Sequence, residues 1–108
     1  MITWADFEKI DIRAGTITKA EIFPAARKPA YQLWIDFGEL GIKKSSAQIT
    51  DFYQPENLIN RQVVAVVNFP ARQVANFFSE CLVLGIYDAG GVILLQPERN
   101  VLNGSRIG

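Results

Sequence analysis

Histidine is absent from the 108 residues, and cysteine occurs once, as Cys81. Without histidine there is no imidazole base, no Ser-His-Asp triad and no histidine-ligated metal. A single cysteine allows no internal disulfide and no cysteine-rich zinc site. Excess charge of either sign is also missing: eleven Lys and Arg face eleven Asp and Glu, with an isoelectric point near 6.2. Such a chain has no global positive field to gather nucleic acid, so any polyanion site must come from local clustering of cations. Long apolar runs are lacking as well. The longest, Val63–Val67, has five residues, against the roughly 20 that a membrane-spanning helix needs. The opening Met1-Ile2-Thr3-Trp4-Ala5-Asp6-Phe7-Glu8 has no basic stretch followed by an apolar one, which predicts no secretory leader and a cytoplasmic location.

What is present suffices for an ordinary core. The chain is 49% hydrophobic and 11% aromatic, and its length suits one domain over residues 1–108 that buries about two-thirds of its unfolded surface. Thr3 is an N-cap residue with Asp6 three positions on, which predicts a helix of at most two turns with Trp4 and Phe7 on one face. From Ile10 the period becomes two: Ile10, Ile12 and Ala14 alternate with Asp11 and Arg13. The apolar parity then changes so that Ile17 faces inward, and a bulge or bend at Gly15 accounts for the change. Pro24 and Pro29 pin a loop over 23–29. Tyr31, Leu33, Ile35 and Phe37 alternate with Gln32, Trp34 and Asp36, the clearest amphipathic strand in the chain. Gly38 and Gly41 bracket a turn into a strand from Ile42, making a hairpin.

Residues 48–60 read as irregular, with Pro55 at a first helical position. Val63–Val67 reads as a strand buried on both faces. Residues 69–78 read as a long loop, Cys81–Leu84 as another strand, and Asp88–Gly91 as the turn of a second hairpin into Val92–Leu95. Asn103-Gly104 marks a turn in the tail. This order predicts an all-β protein: a five-stranded Greek-key barrel of the OB type, with a short N-terminal helix and extra strands at the C-terminal end. A small sandwich or an SH3-like barrel fits less well, because the irregular stretch before the fourth strand is long.

On an OB barrel the ligand face is built from strands two and three and the loops joining strands one to two and four to five. Arg27, Lys28, Lys43, Lys44 and Arg72 fall there, five of the eleven cations. If about four of them neutralised phosphates, log K would fall with log salt at a slope near −3. Aromatic side chains share the region: Trp34, Phe69, Phe77 and Phe78. Phe77 and Phe78 are adjacent, so in extended backbone they point to opposite sides and at least one is exposed. An exposed aromatic beside cations can stack on an unpaired base, contact an apolar peptide or meet a partner subunit. Catalytic constellations are thin. Ser45-Ser46 has no base partner, Cys81 lies in an apolar strand, and no catalytic or metal-ligating residue is predicted.

Ile10-Asp11-Ile12-Arg13-Ala14-Gly15 with Ile17, then Ala20-Glu21 and Pro24, resembles the opening of the tRNA-binding domain family. That family includes structure-specific tRNA-binding proteins, the C-terminal appendage of bacterial methionyl-tRNA synthetase and endothelial monocyte-activating polypeptide. The similarity continues through Tyr53–Leu58, Val63–Asn68, Ser79-Glu80 and Leu94–Pro97, nearly the whole chain. Asp36-Phe37-Gly38, Lys44–Thr50, Val66–Pro70 and the closing Gly104–Gly108 are similar to a branch of the family described as export-related chaperones.

The resemblance implies an OB-type barrel with added terminal elements, a homodimer and no cofactor. It also implies that Asn68, Arg72, Ser79 and Glu80 stand in the family's tRNA-contact segment. Pro70 and Gln73 occupy places where basic residues are usual, Cys81-Leu82 replaces Gly-Met, and Asn76 replaces a common glycine. Positive charge is thereby lost. The expectation is a dimeric, non-enzymatic chaperone that binds unfolded or exported precursor polypeptides at Trp34, Phe69, Phe77 and Phe78. tRNA is the second ligand, at Arg27, Lys28, Lys43, Lys44, Asn68, Arg72, Ser79 and Glu80. The alternative is a free-standing tRNA-binding protein.

Overall fold

The computed structural model describes residues 1–108. Helix α1 (Trp4–Glu8) is followed by β1 (Ile12–Ile22), β2 (Tyr31–Asp36), β3 (Ile42–Ala47), helix α2 (Pro55–Leu58) and β4 (Gln62–Val66). Then come β5 (Arg72–Val74), β6 (Phe77–Ser79), β7 (Leu82–Val83), β8 (Gly85–Asp88) and β9 (Gly91–Leu94). Five strands form one antiparallel sheet in the order β3-β2-β1-β4-β7, curled into a nearly closed barrel. This is the OB-type architecture with its N-terminal helix.

Local chemistry explains the ends of the elements. The Thr3 hydroxyl accepts from the Asp6 amide while the Asp6 carboxylate accepts from the Thr3 amide, a reciprocal cap that starts α1. Pro55 occupies the first turn of α2, where its missing N–H costs nothing. Along β2, Tyr31, Leu33 and Ile35 point inward and alternate with half-buried Gln32, Trp34 and Asp36. Together with Phe37 they meet Ile17, Leu58, Val63, Ala65 and Leu94 in the barrel interior. Val63 to Val66 are buried on both faces, as their unbroken apolar run predicts.

Two expectations are corrected. No bulge falls at Gly15. Ile12 to Thr16 pair with β4 without a break, so Ala14 and Ile17 lie on opposite faces by ordinary alternation and both are buried, Ile17 in the barrel and Ala14 on the other side. The slip in β1 comes later, against β2 between Ile17 and Lys19, with Thr18 as the extra residue. Gly15 serves a different purpose. A Cβ there would come within 2.7 Å of Ile35 Cγ2 and Phe37 Cδ1, so only glycine lets β1 lie this close to the core. Residues 69–78 are not a plain loop either. They contain the β5–β6 hairpin, with Arg72 opposite Ser79, Gln73 opposite Phe78 and Val74 opposite Phe77.

The tail is held along the first half of β1, on the side where β2 has ended. Ala14 accepts from the Gly104 amide and donates to Ser105, and Ile12 accepts from Ile107. Asn103 Oδ1 accepts from the Thr16 hydroxyl at 2.6 Å, and the Gln62 amide both donates to and accepts from the Val101 backbone. Asp11 and Asn68 join the tail to the other end of the chain. Asn68 accepts from the Asp11 amide and donates to Lys9 O, while the Asp11 carboxylate receives Arg13 Nε at 2.6 Å and faces Arg106 Nε at 3.9 Å.

The barrel closes at β3 by different means. Strand β7 has only two residues, and β3 shows no ladder with it. Instead the Lys44 carbonyl accepts from the Glu80 amide at 2.7 Å. The Lys44 amide donates to Glu80 Oε1 at 2.9 Å, the Ser46 amide to Ser79 Oγ at 3.1 Å, and the Ser45 hydroxyl to the Cys81 carbonyl at 3.0 Å. Side chains thus stand in for a missing strand.

Two stability measurements follow. Glu80→Ala strands the Lys44 amide and is expected to cost about 1–3 kcal/mol, read as a lower urea midpoint at unchanged slope; Glu80→Gln, which keeps an acceptor, is expected to cost less. The Arg13 guanidinium hydrogen-bonded to Asp11 holds its carboxyl below the usual carboxylate range. The stability this contributes is present above the ordinary value near pH 4 and is lost as pH falls through the lowered one. Asp11→Asn is therefore expected to flatten the acid limb of a urea-midpoint profile measured below about pH 4.

Candidate ligand-binding site around the β5–β6 hairpin

The hairpin is anchored from outside the barrel by a second, smaller core. Phe23, Ala30 and Phe77 are buried together, with Ala26, Trp34 and Val74 packed against them. Phe77 meets Phe23 edge-on at 5.4 Å and Trp34 at 5.8 Å, both favourable aromatic geometries. Lys44 Nζ lies 5.2 Å over the Phe77 ring and Lys19 Nζ 4.5 Å over the Trp34 ring. The turn is made by Ala75 at φ 54° and Asn76. A residue with a Cβ is uncommon there.

Of the four aromatics singled out in the sequence, only two are accessible. Phe77 retains 6% exposure, whereas Phe78 keeps 50% and Phe69 56%. The alternation along β6 explains the first pair: one ring enters the outer core and the next must leave it. Trp34 is half-buried, with one neighbour over its ring and another at its edge.

Two clefts adjoin on the hairpin and share Arg72 and Val74 of β5 as a common wall. One, of about 480 Å³, is lined mainly by Phe69, Pro70, Leu82 and Cys81, with Ser79 and Glu80 at the seam. The other, of about 470 Å³, has a floor of Ala25, Ala26 and Ala30, and its polar lining is Arg27, Lys28, Ser46 and Gln48 with Arg72. No acidic residue lines this second cleft.

Ten of the eleven cations divide cleanly, and Arg61 stands apart, over the Tyr53 ring at 5.2 Å. Every ion pair in the structure uses Lys9, Arg13, Lys19, Arg99 or Arg106. Arg27, Lys28, Lys43, Lys44 and Arg72 are in none. Arg27, Lys28 and Arg72 converge on the second cleft; Lys44 lies over Phe77; and Lys43 pairs with inward-facing Ile35, apart from the others.

Asn68, Ser79 and Glu80 have their side chains committed to backbone partners, Asn68 at the α1–β1 junction and the other two in the closing seam. Cys81 is equally unavailable, since burial pushes its thiol up to about 12. Leu82, Val74 and Gln48 also line the clefts. For Leu82 the sequence does hold a signal: with Cys81 inward, alternation sends Leu82 outward.

A family model described as putative tRNA binding domain matches residues 12–106. Among curated proteins, the chain is 36% identical to a methionine–tRNA ligase of Methanococcoides burtonii over 99% of its length, but it covers only 16% of that enzyme. A methionine–tRNA ligase of Porphyromonas gingivalis is also 36% identical, with 98% of this chain and 15% of the enzyme covered. Among solved structures, the CsaA chaperone of Bacillus anthracis is 57% identical with a TM-score of 0.94, covering 100% of this chain and 99% of that one. The CsaA chaperone of Picrophilus torridus is 52% identical with a TM-score of 0.95, covering 100% of both chains. No helix is long and apolar enough to cross a membrane. With residues 12–106 matched by one family model, the chain belongs to the tRNA-binding domain family.

Proposed function

We propose that this chain is a CsaA-type chaperone that binds unfolded or precursor polypeptides as a homodimer and performs no catalysis. The observation that carries the reading is the open apolar cleft of Phe69, Pro70 and Leu82, in a chain alike over its whole length to chaperones of that name. Phe69 and Leu82 are about half exposed, which leaves apolar surface free to accept an apolar side chain from elsewhere. Phe78 widens the apolar surface on the opposite face of the hairpin. Phe77 and Trp34 hold the hairpin in place.

The dimer reading is supported by a second apolar face. Ile2, Thr3, Trp4, Phe7 and Gly108 line an open depression of about 640 Å³, and Trp4 keeps 82% exposure. A second copy bringing the same surface about a twofold axis would cover both. Two weak polypeptide sites in one particle gain through effective concentration when one client reaches both.

tRNA binding is the second reading, and the specific observation favouring it is the group of Arg27, Lys28 and Arg72, free of ion pairs, around one cleft. Three cations in one cleft correspond to a salt slope of about −2 to −3, so binding of this kind would weaken with ionic strength.

Two experiments test the polypeptide and dimer readings. Suppression of light scattering by a chemically unfolded client is expected to need roughly tenfold more Phe69→Ser or Leu82→Ser protein, with a smaller effect of Phe78→Ser. Undiminished suppression by all three, with circular dichroism unchanged, would sink the polypeptide site. Sedimentation equilibrium is expected to give twice the 12.1 kDa chain mass and to return the chain mass for Trp4→Asp; a wild-type monomer at working concentration would end the dimer reading.

A further inference from the structure

We propose that the two clefts act as one bipartite site for an extended polypeptide segment carrying a large apolar side chain and, within about four residues, an acidic one. Segments that are basic at the second place would be rejected. The inference rests on the polypeptide-binding reading and adds to it the chemical class of the client.

The shared wall sets the geometry. Arg72 and Val74 are two residues apart on β5 and each faces both clefts, so the clefts are separated by no more than one short strand. An extended chain advances about 3.3 Å per residue, and a segment with side chains a few residues apart spans such a wall without distortion. Strand β5 also has a free edge. It pairs with β6 alone, and no other backbone segment bonds to it. A free edge of this kind accepts an added strand, whose main-chain bonds tolerate many sequences while alternate side chains supply preference.

The clefts differ in what they would prefer. The first offers Phe69, Pro70, Val74 and Leu82. The second offers Arg27, Lys28 and Arg72 with the Ser46 and Gln48 side chains, and no acid. Three cations without ion-pair partners around one small volume repel one another, and an entering carboxylate relieves that repulsion while a lysine adds to it.

The lining favours polypeptide over RNA. A base needs an open aromatic plane, but the Trp34 ring carries Lys19 over it and Phe77 is buried. Phe69 is the one ring in the lining of the two clefts, beside Pro70, Val74 and Leu82, and the half-exposed Phe78 lines neither.

Fluorescence anisotropy with labelled Ser-Gly peptides in a two-by-two design tests this: Phe or Ala at one place, Asp or Lys a few residues on. The Phe–Asp peptide is expected to bind about tenfold tighter than either Phe–Lys or Ala–Asp at low salt, with the Asp preference shrinking as salt rises. Arg27→Glu combined with Lys28→Glu changes two loop residues that form no ion pair and is expected to invert the Asp-over-Lys preference while leaving Phe over Ala intact. Peptide binding with no preference between Asp and Lys, or a charge-swapped protein that keeps the original preference, overturns the bipartite site and leaves polypeptide binding standing. No binding of any peptide, with tRNA bound tightly by the same protein, overturns the polypeptide reading itself.

Discussion

Closure of the barrel depends on a seam that has too little strand to close it. Strand β7 is two residues long, and the missing ladder is replaced by Ser79, Glu80 and Cys81 bonding to Lys44, Ser45 and Ser46. Each of these bonds satisfies a backbone group that a fuller strand would have paired, and leaving it unmade would carry the whole desolvation cost. The seam also fixes where the β5–β6 hairpin starts and ends, because β6 runs directly into it. Both clefts are walls of that hairpin. Ser79 and Glu80 therefore shape the ligand surface through the backbone they hold, and Asn68 does the same at the junction of α1 with β1.

Net neutrality conceals an uneven distribution. Asp6, Asp11, Glu21 and Glu98 absorb cations at the N-terminal junction, on β1 and in the tail, and no acid is placed among Arg27, Lys28 and Arg72. A field built from three unpaired charges is short-ranged at physiological salt, where screening acts over about 8 Å. It discriminates between ligands already seated in the neighbouring cleft far better than it recruits them from a distance. This is why the count of eleven against eleven, which argues correctly against long-range capture of polyanions, says little about the local site.

Much of the barrel is legible in the sequence, and the reasons for the failures are physical. Strand β2 is plain because it is buried on one face, so alternation reports its orientation. Parity misplaces the slip in β1 because Ala14 and Ile17 are buried on opposite faces, which imitates a shift that the strand makes only after Ile17. Gly15 attracts the assignment for a property it uses otherwise, closeness to Ile35 and Phe37. The β5–β6 hairpin is invisible to periodicity: its strands have three residues each, and Ala75-Asn76 lacks the glycine that marks such a turn. Burial of Phe77 requires knowing that a second core forms outside the barrel from Phe23, Ala30 and Trp34. The seam roles of Ser79 and Glu80 join residues more than thirty positions apart, which no local pattern carries.

That outer core bears on which ligand the surface suits. Burying Phe77 against Phe23 and Trp34 removes an aromatic side chain from the accessible surface and leaves Phe69, Pro70 and Leu82 facing solvent. Mostly aliphatic surface is a poor platform for a base, whose stacking energy comes from a flat exposed ring. The same surface is well suited to an apolar side chain, where the gain scales with area removed from water at roughly 25 cal/mol per Å² and makes little demand on orientation. Pro70 and Gln73 act in the same direction, since neither adds a charge to the hairpin. On the proposed reading, packing that stabilises the hairpin and the residues that border it would bias one surface toward polypeptide, and the three cations without ion pairs would add a smaller, salt-sensitive attraction for polyanions.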